Sequence, residues 1–172
     1  MDTFTDPRDG KTYKTVTIGK QTWMAENLNY EAEGSKCYNN DPANAQKYGR
    51  LYDWETAKKA CPPSWHLPSK EEWQELANFV GGNDIAGKKL KATNGWNSCY
   101  GQSGNGTDEH GFAAMPGGAG SNLTIGNNGM WWSASERNGI RAYSQNIGHD
   151  GDLAILDDYT KFNLFSVRCI QD

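Results

Sequence analysis

Leu67-Pro68-Ser69-Lys70-Glu71-Glu72-Trp73-Gln74-Glu75-Leu76-Ala77-Asn78-Phe79-Val80-Gly81-Gly82 is the stretch that decides the reading of this chain. Ser69 and Glu72 have the spacing of a capping box. The serine hydroxyl accepts from the backbone N–H three residues on, and the glutamate reaches back to the serine N–H. Trp73, Leu76, Ala77 and Val80 then recur at helical spacing, and Gly81-Gly82 ends the run. The spacing predicts a helix near 69–80 with that face in a core.

Working outward, Asp53 to Ala60 reads as a second, shorter helix with Trp54 and Ala57 inward, stopped by Cys61-Pro62-Pro63. Further upstream, Asp6-Pro7-Arg8-Asp9-Gly10 is a turn. Lys11 to Ile18 alternates as a strand, with Val16 and Ile18 on one face and Thr15 and Thr17 on the other. Gly19-Lys20 turns it into a second strand, Gln21 to Met24. Residues 31–50, with Asn39-Asn40-Asp41-Pro42, read as a loop held by Cys37. Downstream of the long helix, Lys88-Lys89-Leu90-Lys91 lies on a short helix face and the rest is mostly loop. Asn-Gly turn signals stand at 94, 105, 128 and 138, with Asp150-Gly151 beyond them. Short strands are expected at Phe112 to Met115, Met130 to Ser135, Arg141 to Ile147, Asp152 to Leu156 and Leu164 to Ile170. In the last, Phe165, Val167 and Cys169 share a face.

Composition agrees with a loop-rich α+β domain. The 172 residues hold twenty Gly, seven Trp and eight Tyr but only 36% hydrophobic residues, which suits large flat side chains on Gly-rich connections and not a helical bundle. A single domain spanning 1–172 is expected from this length. The net charge is −4 with no basic run, which argues against nucleic acid as a partner. No apolar run approaches the ~20 residues of a membrane span. Met1-Asp2-Thr3 opens without a charged and then apolar leader, so either the protein is cytosolic or Met1 stands where a leader was removed. The four cysteines, Cys37, Cys61, Cys99 and Cys169, form no C-x-x-C pair, which excludes zinc-ribbon and thioredoxin readings. Widely spaced and even in number, they suggest disulfides and an oxidising compartment. Three connectivities are open, as is the alternative of four reduced thiols.

Longer motifs add a resemblance. Asp9-Gly10-Lys11-Thr12-Tyr13-Lys14-Thr15-Val16 and Ile18-Gly19-Lys20-Gln21-Thr22-Trp23-Met24-Ala25-Glu26-Asn27-Leu28-Asn29-Tyr30 resemble the opening of the Fibrobacter succinogenes major paralogous domain family. So do Tyr48-Gly49-Arg50-Leu51-Tyr52, Cys61-Pro62 with Trp65-His66-Leu67-Pro68-Ser69 and Glu72-Trp73, and Gly111-Phe112 with Pro116-Gly117-Gly118. Trp131-Trp132-Ser133 with Glu136, and Phe165-Ser166-Val167-Arg168-Cys169, complete it over nearly the whole chain. The resemblance implies a C-type-lectin-like fold: two helices packed on a small twisted antiparallel sheet with long Gly-rich loops. More remotely, Leu67 to Trp73 and Val167-Arg168-Cys169 are similar to the formylglycine-generating-enzyme branch and to the variable proteins of diversity-generating retroelements. Those proteins vary a segment that corresponds here to 134–164. The resemblance further implies a secreted or cell-surface bacterial domain, often within a lipoprotein or adhesin, reaching a membrane only through a removed leader or lipid anchor. A monomer is expected. The family often carries a second Cys shortly after the Cys37 position, where this chain has Ala45. The resemblance therefore implies bridges Cys61–Cys169, the long-range bridge of the fold, and Cys37–Cys99.

For chemistry, the chain has no Gly-x-Ser-x-Gly elbow, phosphate loop or His-Glu-x-x-His. A bridged Cys61 and Cys169 would leave neither as a thiolate, so an oxidoreductase of the formylglycine-generating type is the disfavoured alternative and no enzyme is expected. His66, beside Trp65 and Pro68, reads as structural, and His110 as a loop residue. Asp150, Asp152, Asp157 and Asp158 would be the place for Ca²⁺, which wants six to eight oxygens. The lectin tripeptides and the EF-hand pattern are absent, so a solvated acidic face is expected and no cofactor. Trp23, Trp54, Trp65, Trp73 and Trp131 read as core, as does Trp132. The 136–159 region is polar and mixed, and the resemblance makes it the expected ligand surface. Arg137, Asn138, Arg141 and Gln145 would give hydrogen bonds, His149 would sit at an exposed tip, Asp150, Asp152 and Asp158 would give charged contacts, and Tyr159 would stack. The expected ligand is a glycan or a surface protein. The alternative is a structural or tip module of a larger surface assembly.

Overall fold

The computed structural model describes residues 2–120 and 123–172. Two antiparallel sheets organise it. The first has five strands in the order β1 (Asp2–Thr5), β2 (Thr12–Ile18), β3 (Gln21–Met24), β8 (Ile170–Gln171) and β4 (Trp65–His66). The second is a meander of β5 (Asn128–Asn138), β6 (Arg141–Gly148) and β7 (Ala154–Thr160). Among the described residues there are four α-helices: α1 (Pro42–Tyr48), α2 (Trp54–Ala60), α3 (Lys70–Phe79) and α4 (Asn83–Leu90). The fold is thus mixed α and β, with two helices beyond the two main ones expected: α1, where a loop is expected, and α4, which carries the short helix face of Lys88-Lys89-Leu90.

The capping box forms as the sequence predicts: Ser69 Oγ accepts from Glu72 N at 3.1 Å, and Glu72 accepts from Ser69 N at 2.7 Å. Trp73, Leu76, Ala77 and Val80 are buried. The extra helices have local causes. Asp41-Pro42, read as a turn, is an N-cap followed by proline at the first helical position. Asp41 accepts from Ala43 N at 2.9 Å, and the missing proline N–H costs nothing there. Helix α4 is pressed onto the turn before β7, since a Cβ on Gly87 would fall 2.2 Å from the Leu153 carbonyl oxygen. The Asp6–Gly10 turn is pinned from inside. Buried Asp6 holds the Arg8 guanidinium at 2.7 Å, and Arg8 also donates to the Ala60 carbonyl at the end of α2.

Two expected strands are not strands. Phe112 to Met115 makes a single bridge, Lys91↔Ala114. In Leu164 to Ile170 only the end pairs as β8, and the remainder is a buried seam between the sheets. Phe165 exchanges backbone bonds with Tyr52. Ser166 bonds Met130 and Trp132, and Val167 and Cys169 accept from Leu28 and Met24. A segment that changes partner every residue satisfies its backbone groups without a ladder. Strand β7 starts two residues later than expected and runs on to Thr160, because Asp152 and Leu153 belong to the turn.

The core lies in two clusters. One gathers Met24, Trp54, Trp65, Trp132, Phe165 and Val167; the other gathers Trp23, Trp73, Trp96, Phe112 and Trp131. The Cys61–Cys169 bridge is formed, joining the end of α2 to the seam across 108 residues. The expected Cys37–Cys99 bridge is not. The two thiols are unpaired and half-buried in different grooves, Cys37 beside Arg50 and Cys99 beside His149.

Candidate functional site

Strand period decides where the expected ligand residues go. In the β6–β7 register Tyr143 faces Asp158 and Ala142 faces Tyr159, so Asp158 and Tyr159 point to opposite faces of the meander. On the Asp158 face the charges satisfy one another. Arg141 donates to the Asp158 carboxylate and to its carbonyl, and Arg137 Nε lies 3.4 Å from the other carboxylate oxygen. Arg137 also reaches the Tyr143 hydroxyl at 3.4 Å, which with Asp158 raises its pKa. Asn138 accepts from the N–H groups of Ile140 and Arg141, both at 3.0 Å, and so builds the hairpin turn. Gln145 is only 2% exposed. The expectation that it contacts a ligand is corrected: β6 is the central strand, and this position faces the core.

The tip between β6 and β7 is organised around a lysine. Lys91 is 2% exposed, and its ammonium donates to the carbonyls of Gly148 at 3.1 Å and Gly151 at 2.8 Å. Burial lowers its pKa, against the pull of Asp152 and Asp150. The ammonium thus ties the two ends of the β6–β7 turn together through their carbonyls. His149 is half-buried, not an open tip, with Nδ1 at 3.3 Å from the Asn97 carbonyl. Asp150 and Asp152 are exposed, Asp157 caps the Asp158 N–H at 2.8 Å, and Asp158 is paired to arginine. Among the described residues no three His, Cys, Asp or Glu side chains come together to hold a metal ion.

The other face of the meander carries a groove of about 400 Å³. Met130, Ile155 and Leu153 give it apolar surface; Asn128, Asn146, Asp157 and Tyr159 give it polar groups. The Tyr159 ring stands edge-on against Phe165 at 5.4 Å, and its hydroxyl accepts from Asn146 Nδ2 at 3.3 Å. Tyr159 is therefore half-buried and fixed in place, and burial raises its pKa. Of the nine expected ligand residues, Asp150 and Tyr159 line this groove. Met130 and Ile155 are not among the expected site residues, and Asp157 is expected only in the acidic cluster weighed for Ca²⁺, although Ile155, Asp157 and Tyr159 alternate at strand period.

Residues of the opening and closing motifs of the chain meet elsewhere, in a structural knot. Buried Arg168 donates to Asn27 Oδ1 through Nε at 3.2 Å and through a terminal nitrogen at 2.9 Å. It also donates to the carbonyls of Met24, Phe112 and Ala113. Trp131 Nε1 joins the same Asn27 oxygen at 2.8 Å. Burial pushes the Arg168 pKa down to about 9, which still leaves it charged at neutral pH.

These features define a class: a disulfide-bonded domain of mixed α and β structure with curled antiparallel sheets and a grooved strand surface. The chain belongs to the Fibrobacter succinogenes major domain family, whose model matches residues 16–171. No curated protein and no solved structure matches it.

Proposed function

We propose that this chain is a C-type-lectin-like, non-enzymatic binding domain that acts outside the cytoplasm and takes a saccharide in the groove on the Tyr159 face of the meander. The groove carries the reading. A fixed aromatic ring, apolar neighbours, two side-chain amides and two carboxylates share one concave surface. Sugar rings present an apolar face and hydroxyl edges, which is the complement of that mixture. Strands hold such groups in place before the ligand arrives, which reduces the ordering cost of binding. The bridge Cys61–Cys169 supports an oxidising compartment and leaves neither sulfur as a thiolate.

The test is a screen of the purified, oxidised domain against plant-wall and mucosal polysaccharides, with and without EDTA, beside Tyr159→Ala. Binding should weaken by about tenfold or more in the variant and should ignore EDTA, because Lys91 already supplies the cation at the tip. Failure to bind any polysaccharide would refute the saccharide. A protein ligand is the second reading, favoured by Ile140 and Phe162, which are 63% and 86% exposed and lie on segments joined by the Lys161 N–H bond to the Ile140 carbonyl.

A further inference from the structure

A larger cleft, about 550 Å³ against about 400 Å³, shares no lining residue with the sheet groove. It forms where β2, the segment after β3, α1 and the loop 108–115 meet. Its floor is the Asn27–Arg168 knot, in which all five guanidinium N–H bonds are engaged. Gly49 lets the end of α1 close on that floor: its φ is +78°, and a Cβ would lie 2.7 Å from the Leu28 carbonyl oxygen. The far wall is strained. Asp108 and Ala113 take φ of 45° and 50° without being glycine, a cost that the surrounding structure must impose and that is commonest at binding sites.

The charges lining this cleft leave one another unpaired. Lys14, Lys47, Glu26 and Asp108 all line it, and none makes an ion pair among the described residues. Each carboxylate is anchored through one oxygen. Glu26 accepts from the Lys14 N–H at 2.6 Å, and Asp108 from the Ala113 N–H at 2.8 Å. The second oxygen of each has no hydrogen-bond donor among the described residues. Lys11, by contrast, is already held by Asp9 at 3.2 Å. Among the lining residues Lys14 and Lys47 balance Glu26 and Asp108, and Lys11 is balanced by Asp9; Arg168 lies buried beneath the lining, within electrostatic reach of Glu26 and Asp108, and adds one positive charge there, in a chain of net charge −4. Opposite charges that face one space and do not meet are complemented by a ligand that brings both an anion and donors.

We propose that this cleft binds a hydroxylated carboxylate of the uronate-oligosaccharide class. The ligand carboxylate lies between the ammonium groups of Lys14 and Lys47, and its hydroxyls donate to the free oxygens of Glu26 and Asp108. The net positive charge favours such an anion over a zwitterionic amino acid. The proposal does not rest on the sheet groove and survives its failure.

Titration calorimetry with a galacturonic acid trimer and a neutral galactose trimer tests it. The acidic trimer should bind, the neutral one about tenfold more weakly or not at all, and the acidic affinity should fall as salt rises from about 0.05 to about 0.5 M. Lys14→Gln/Lys47→Gln, at two exposed positions, should lose about tenfold or more with its melting temperature unchanged. Tyr159→Ala should bind the acidic trimer like the parent. Equal binding of the two trimers, no binding, salt-independent binding, an unaffected double lysine variant, or loss in Tyr159→Ala would each overturn the proposal.

Discussion

Replacing both bridged cysteines, Cys61→Ala/Cys169→Ala, removes a cross-link that closes a loop of 108 residues. In the chain-entropy treatment such a loop restrains the unfolded chain by about 4.8 kcal/mol at 25 °C. Cys169 is fully buried, so loss of its sulfur contacts adds to this. For a chain of 172 residues, each kcal/mol moves the melting temperature by about 2–4 °C, so the midpoint should fall by about 10–20 °C. The assay is thermal unfolding by circular dichroism, with Cys37→Ala/Cys99→Ala beside it. Those two thiols are unpaired, so that variant should melt within about 2 °C of the parent. Thiol titration of the unreduced, denatured parent should find two free thiols per chain. A fall below about 3 °C in the bridge variant would refute the reasoning, because the unfolded chain would then have to be closed by something else. Fewer than two free thiols would place a bond at Cys37 or Cys99.

Two further outcomes follow from buried and half-buried polar groups. Asn27→Leu keeps the branched shape but strips two bonds from the Arg168 guanidinium and one from Trp131; lost bonds to a buried charge and an unsatisfied indole N–H should together cost about 3–5 kcal/mol in urea unfolding, and a cost below about 1 kcal/mol would show that Arg168 finds other partners. Burial alone would lower the His66 pKa, but hydrogen bonds to Asp172 at 2.7 Å and Glu72 at 2.9 Å outweigh it and raise the value above the ordinary 6.5. A raised folded value means that its stabilisation is complete below about pH 6.5 and is lost as pH rises through the folded value. Melting temperature should therefore fall more between about pH 6 and about pH 8.5 in the parent than in His66→Asn, and equal slopes would show that the cluster contributes nothing.

Much of the scaffold is legible in local signals. The capping box and its apolar face, the β2–β3 hairpin, the Asn138-Gly139 turn of the meander and the six tryptophans assigned to the core all rest on chemistry within a few residues, and the structure keeps each of them. Helix α1 was legible too, since Asp41-Pro42 is as good a helix start as it is a turn. The strand assignment at 164–170 failed for a different reason. Alternating apolar residues mark burial, and a buried extended segment need not sit in a ladder.

The candidate sites were much less legible. Alternation places Asp158 and Tyr159 on opposite faces, but only tertiary packing says which face is grooved and which is closed by arginine pairs. Gln145 reads as a polar surface residue until both faces of its strand are seen to be covered. The acidic run at 150–158 suggests a cation site in one dimension, while in three dimensions Lys91, nearly sixty residues away, fills the turn. The charged cleft draws on Lys14, Glu26, Lys47 and Asp108, which no spacing rule connects. The sequence by itself determined helices α2 and α3, the hairpins and the tryptophan core, because caps, turns and periodicity act over one or two turns of chain. Which charges meet, which cysteines bond and where the clefts open were decided only by the tertiary structure, because those depend on distances between segments that the seam at 164–169 brings together.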